Sequence, residues 1–214
     1  MTTFHMAVAE ATWSCSLIQL EQSFYAQPAV TLAQALIGKV LVRRMRRKVF
    51  HARIVETEAY VGSHDLACHA SKGRTNRTEV MFGPAGRAYV YLIYGMYDMF
   101  NIVAGDIDDP QAVLIRAAEP LNGWSADLSG PGKLTRNLQI TRADNGVILT
   151  SDRLHLLDDP ADRPQIVATP RIGIDYAREW KHELLRFLDP TSKCLSSKIG
   201  LSGTSPGPNS PLTF

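Results

Sequence analysis

The chain has 214 residues, 45% of them hydrophobic and 21% charged, with a formal net charge of +2. That length carries one domain with a substantial core, and no apolar run approaches the roughly 18 residues of a membrane span. Three widely spaced cysteines, Cys15, Cys68 and Cys194, with no CxxC pattern and equally scattered histidines, argue against a disulfide framework and a structural zinc.

Residues 1–15 read as a loose leader. They lack the basic start and long apolar stretch of a signal peptide, since the apolar run at 6–11 is short and contains Glu10; the expected compartment is the cytoplasm. Residues 16–24 and 31–37 have helical spacing, with Thr31 as N-cap and Gly38 as the stop of the second helix. Residues 39–44 and 49–60 read as strands, the second rich in alternating β-formers. From 61 to 87 the pattern dissolves into Gly, Ser, His and Arg, which predicts a long functional loop with little regular structure.

The run YVYLIYGMYDM at 89–99 then puts four tyrosines within nine residues. Its alternation reads as a strand with Tyr89 and Tyr91 on one face, and Gly95 supplies a turn that places Tyr94 at a hairpin tip. An aromatic there builds little core and is suited to entering something else, with Tyr89 and Tyr91 lining whatever it opens. The bland alternative is a strand whose aromatics are all core. The strand pattern continues through Asn101, residues 106–110 read as a turn, and 112–117 as a buried strand. Ser129-Gly130-Pro131-Gly132-Lys133 precedes a short helix at 134–140. It is not a phosphate-binding Walker loop, because the first glycine is missing and Leu134 replaces Ser or Thr, but Lys133 is placed to reach a backbone phosphate. Two or three strands follow through 174, then a helical turn and a closing segment to 188. Residues 16–195 thus form the domain, and the Gly-, Ser- and Pro-rich stretch 196–214 is expected to be disordered.

Charge is unevenly placed. No Lys or Arg precedes Lys39; then come Arg43, Arg44, Arg46, Arg47, Lys48 and Arg53, followed by Lys72, Arg74, Arg77 and Arg87. A basic first half points to a polyanion, with nucleic acid the leading candidate; a solvated strand edge guarded by charge is the alternative for residues 43–48. Glu56 and Glu58, two apart on one strand, share a face, which allows either a paired acid and base or two solvent-facing charges.

The central block resembles the alkyladenine (3-methyladenine) DNA glycosylase family. The matching pieces, in order, are RIVETEAYVG at 53–62, the Asp65…His69 loop, MFGPAGRAYVYLIYGMYDMFNIV at 81–103, AVLIRAAEP at 112–120, SGPGKL at 129–134 and RIGIDYAREW at 171–180. Two departures stand out. The loop Arg74-Thr75-Asn76-Arg77-Thr78 lacks the family's usual proline and asparagine arrangement, and LRFLDPTSKCLSSK replaces its usual Gly-Ser-Pro finish. The resemblance implies a bacterial-type, monofunctional enzyme that flips alkylated purines out of duplex DNA and hydrolyses the N-glycosidic bond. Glu58 would be the general base, and Tyr60, His69, Tyr91, Asn101 and Arg116 the base pocket. Tyr94 and Met96 would intercalate, with Arg43, Arg44, Arg74, Arg77 and Lys133 on the DNA backbone. Water is the only second substrate, so no metal or other cofactor is implied, and the expected state is a monomer free of membranes.

The expected fold is mixed α/β in one domain: a curved, mainly antiparallel sheet with helices around it and the tyrosine hairpin projecting. Two rival functions remain open at this point. A catalytically silent sensor of distorted DNA would use Tyr94 and the basic stretch, and a carbohydrate hydrolase would use Glu56 and Glu58 as its carboxylate pair.

Overall fold

The computed structural model describes residues 17–197. Along them run β1 (Ile18–Gln19), α1 (Gln22–Tyr25), α2 (Ala29–Ala35), β2 (Val40–Met45), β3 (Lys48–Tyr60), β4 (Ala88–Ile93), β5 (Tyr97–Ala104) and β6 (Gln111–Pro120). Then come α3 (Pro131–Leu138), β7 (Thr150–Ser151), β8 (Leu154–Asp158), β9 (Val167–Thr169) and β10 (Arg186–Leu188), with short 3₁₀ turns between. The strands join one sheet in the order β1-β8-β2-β3-β6-β5-β4, with β10 bridging β3 and β9, and every pairing is antiparallel. The mixed, mainly antiparallel architecture expected from the sequence is therefore the one observed.

Two local expectations fail at the N-terminal side. Residues 16–24 do not form one helix: Ile18–Gln19 is drawn out to pair with Asp158 and Leu157 of β8, leaving only a single turn at α1. Edge pairing has overridden helical spacing. Thr31 is not an N-cap either. Pro28 precedes the first turn of α2 and starts it at Ala29, so Thr31 lies inside the helix. Gly38 does end that segment, at φ +87°.

β3 is the organising strand. At 13 residues it is long enough to hold β2 along its first half and β10 against Glu56–Glu58, both on the edge opposite β6. Its Val, Phe, Ile and Thr residues suit a pleated, buried surface. The pairing with β6 is interrupted twice: Val55 of β3 and Arg116 of β6 have no partner in the register. These two bulges reverse which side chains face which way. Ala52 and Ile54 join the main core, and so does Ala59, while the Thr57 hydroxyl donates to the Ala33 carbonyl of α2. Glu56, Glu58 and Tyr60 are thereby turned to the opposite face.

The main core fills the helix side of the sheet. Leu32, Ala33 and Leu36 from the α2 segment and Leu134 and Leu138 from α3 bury against Phe100, Ile102, Val113 and Ile115. Alternation on β4, β5 and β6 sends Tyr89, Asn101 and Ala112 the other way, where Cys68, Ala70 and Met81 of the long loop close over them. That loop, residues 61–87, carries only two short 3₁₀ turns, His69–Lys72 and Glu79–Phe82.

Candidate active site

β4 and β5 make the expected hairpin. Tyr94 and Gly95 occupy its turn at φ +52° and +68°, the two positive values that a type I′ turn requires, and the Met96 N–H closes onto the Ile93 carbonyl at 3.1 Å. Tyr94 is 81% exposed and Met96 69%. The base of the hairpin is braced by α3: the Tyr97 ring lies so close to Gly132 that a Cβ there would sit 2.9 Å from it.

Behind the tip opens a cleft of about 220 Å³, whose lining includes Tyr60, His69, Tyr91, Asn101 and Arg116, with Tyr94 at its edge. That is below the roughly 300–1,000 Å³ of pockets for drug-sized ligands and suits a single flat heterocycle. Its walls are aromatic. The His69 and Tyr91 rings meet edge-on with centroids 4.5 Å apart, and Tyr89 and Tyr91 pack at 5.3 Å. His69 Nδ1 shares a hydrogen bond of 2.9 Å with the Tyr89 hydroxyl. Burial, helped by the charges of Arg77 and Lys72, lowers the His69 pKa to about 4, so the ring is neutral at physiological pH. Asn101 is fixed by donating to the Tyr89 carbonyl at 3.1 Å. The Cys68 thiol in the wall is pushed up to about 11 by burial and is unreactive.

Glu58 lies fully buried behind Tyr60, Arg116 and Ile172, all three of which line the cleft. One of its oxygens accepts the Ile172 N–H at 2.8 Å; the other takes the Tyr60 hydroxyl at 3.0 Å and Arg116 Nη1 at 3.2 Å. Arg116 also binds Glu56 through Nε at 3.1 Å, so one guanidinium joins both carboxylates. Burial works against its charge, but Glu58 and Glu56 outweigh that and hold its pKa above the ordinary arginine value. Arg116 does not pair with its neighbour along β6, Glu119, which instead accepts from Arg53 and the Ser192 hydroxyl. Beneath Tyr60, the Arg171 guanidinium sits 4.8 Å from the ring centroid and is held by buried Asp65.

The basic residues divide. Arg43 is not available to a phosphate: it is buried, with Nη1 2.9 Å from Asp144 and Nη2 donating to the Gln139 carbonyl. Alternation along β2 turned it inward while leaving Arg44 exposed. Arg74 is exposed but already paired with Glu79 and Asp108. Arg77 lies 4.9 Å over the Tyr91 ring, beside the cleft, and Lys133 pairs with Asp127 at 2.8 Å.

Four residues around the site carried no role in the sequence. Ile172 acts through its backbone N–H, for which a side-chain type offers no signal. Tyr176, 69% exposed at the edge of the cleft, was visible only as an aromatic in a matching motif. Ser196 and Ser197 lie where the disordered stretch was expected to begin. Both are hydrogen-bonded, Ser196 to Glu56 and Arg116, Ser197 to Arg186; residues 198–214 lie outside the described residues.

An aromatic cleft beside an exposed hairpin tip, with a buried carboxylate behind it, is the layout of an enzyme that acts on a base taken out of its stack. The comparisons with known proteins agree. The methylpurine-DNA glycosylase family model matches residues 23–193. A Methanocella arvoryzae protein is 47% identical over 193 residues, covering 84% of this chain and 96% of its own length. One from Myxococcus xanthus is 50% identical over 170 residues (78% and 88%), and one from Legionella pneumophila strain Corby 47% over 171 (79% and 93%). Each of the three carries the name "Putative 3-methyladenine DNA glycosylase". The chain belongs to the methylpurine-DNA glycosylase family and is a DNA glycosylase of base-excision repair.

Proposed function

We propose that this glycosylase extrudes alkylated purines of the 3-methyladenine type from duplex DNA and hydrolyses their N-glycosidic bond, leaving an abasic site. The observation that carries the reading is Glu58, wholly buried beside the cleft and held by three donors. An ionised carboxylate accepts about four hydrogen bonds, so one acceptor site remains for a water. Deprotonating that water and offsetting positive charge on the sugar are the two services an oxocarbenium-like transition state needs.

The other residues divide the remaining work. Tyr94, with Met96 beside it, fills the space left in the duplex, where unstacking costs a few kcal/mol. Tyr60, His69 and Tyr91 supply faces and edges on which an electron-poor methylated purine stacks, and neutral His69 adds no repulsion against a cationic base. Asn101 crowds the exocyclic amine of an undamaged guanine. Glu56 is engaged by four donors, three on one oxygen and the Ser196 N–H on the other, which disfavours a glycosidase-type pair of free carboxylates.

Release of bases from DNA treated with a methylating agent tests the reading. Free 3-methyladenine should appear by chromatography while the strand stays intact until alkali is added, and a panel of single-lesion duplexes then ranks hypoxanthine and ethenoadenine. Tight binding with no released base would return the sensor reading, and a strand cut without alkali, or a borohydride-trapped adduct, would put a lysine in the catalytic role.

A further inference from the structure

The stretch following β10 returns to the back of the site. Arg186, directly across from Glu58 in the β3–β10 register, sends Nη1 to Glu56 at 3.1 Å and to the Ser197 hydroxyl at 2.7 Å. Ten residues further on, Ser196 contacts both Glu56 and Arg116. Its N–H donates to one Glu56 oxygen at 2.6 Å and its hydroxyl to the other at 2.7 Å. The same hydroxyl oxygen accepts Arg116 Nε and Nη2, each at 3.2 Å. One serine therefore closes a ring of contacts, Glu56–Arg116–Ser196, and leaves Arg116 Nη1 directed at Glu58 at 3.2 Å. Ser196 lies just beyond the stretch 23–193 that the family model covers.

The chemistry of the ring explains why a serine is suited to it. A guanidinium shared between two carboxylates can swing toward either, and the arginine side chain is long and flexible. A hydroxyl that is anchored by donating to Glu56 and accepts from two nitrogens of Arg116 fixes the plane of the guanidinium at two points. Four charges, Glu56, Glu58, Arg116 and Arg186, balance in a buried volume, so each depends on the geometry of its neighbours rather than on water. We infer that Ser196 is a positioning residue for base excision: acting with Glu56, it locks Arg116 in the one orientation that presents Glu58 to the attacking water. The inference rests on the functional reading above. It makes Ser196 part of the apparatus that positions the catalytic groups.

The test uses the full chain and single-turnover release of methylated purines from duplex DNA, with enzyme in excess. Ser196→Ala should slow release by about tenfold, the scale of one lost hydrogen bond to a charged group. Its affinity for a duplex carrying a stable abasic-site analogue should stay within about twofold of the parent, and its thermal midpoint should fall by only a few degrees, leaving it folded at the assay temperature. Ser196→Thr, which keeps the hydroxyl, should recover most of the rate. Because both residues act through Arg116, Glu56→Gln combined with Ser196→Ala should be little slower than Glu56→Gln alone. An active parent with an equally fast Ser196→Ala variant overturns the inference alone, as do losses that multiply in the double variant. A parent that releases no base overturns the functional reading and the inference with it.

Discussion

Glu58 and Arg116 illustrate how much depends on single side chains held away from water. Replacing Glu58 with Gln keeps the shape and hydrogen-bonding atoms but removes the charge and the base. Binding of lesion-containing duplex should be nearly unchanged while single-turnover excision falls at least about 10²-fold. Neutral lesions should suffer more than cationic ones, which leave with less help. Near-parental excision by Glu58→Gln would place the catalyst elsewhere. His69 makes a thermodynamic prediction. Its folded pKa, about 4, lies below the usual 6.5 because of burial and then Arg77 and Lys72. As pH falls below 6.5 the unfolded chain takes up a proton that the folded ring refuses, so the fold loses stability progressively down to about pH 4. For a partly exposed ring the loss is about 2 kcal/mol after solvent screening. Urea unfolding of the parent and His69→Phe at pH 7 and pH 5 should show the gap between them moving against the parent at the lower pH; a constant gap would mean that the ring titrates normally.

The hairpin is an element built to protrude. Its turn takes two positive φ values, and Tyr94 buries little. Tyr94→Ser should therefore change stability by no more than about 0.5 kcal/mol, the range of ordinary surface substitutions. Excision from duplex DNA should fall markedly, and the defect should shrink in single-stranded or bulged substrates, where less unstacking is required. Loss of folding in this variant would assign Tyr94 to the core. The same alternation that makes the hairpin also sets the fate of two adjacent arginines on β2. Arg43→Ala breaks a buried pair with Asp144 and should cost roughly 2–4 kcal/mol in urea unfolding, with part of the charge on Asp144 still met by Arg153.

For the molecule as a whole, the strand directions bring distant pieces to one end of the sheet. β5 enters from the hairpin and runs antiparallel to β6, whose Pro120 end lies beside Ala52 of β3, close to the β2–β3 turn. Tyr94 and the exposed Arg44, Arg46, Arg47 and Lys48 thus share an end. Arg46 even holds φ +45° in its two-residue turn, a position that ordinarily takes glycine. If this cluster meets phosphates, the slope of log affinity against log salt for undamaged duplex should flatten when Arg44, Arg46 and Arg47 become alanine, by up to about 0.9 for each phosphate no longer neutralised. An unchanged slope would make the turn a solvated edge and nothing more.

The local code specified a great deal. Period-two alternation located β3 and the hairpin; Gly95 fixed the tip; and the ordered motifs carried the family and the residues of the cleft. Those signals are short-range, and they follow from backbone sterics and from which side chains alternate. They failed where a longer-range pairing outbid them, as when β8 claimed Ile18–Gln19 from a helix. They were silent on the paired bulges at Val55 and Arg116, because a residue omitted from a ladder is a property of two strands and not of either sequence. Those bulges turn Glu56 and Glu58 away from the core, bring Arg116 between them, and leave the ring to be closed by Ser196, 80 residues beyond that arginine. The chemistry was present in the sequence as a set of residue types. Which of them meet, and in what orientation, was decided by strand pairing and burial in the folded chain.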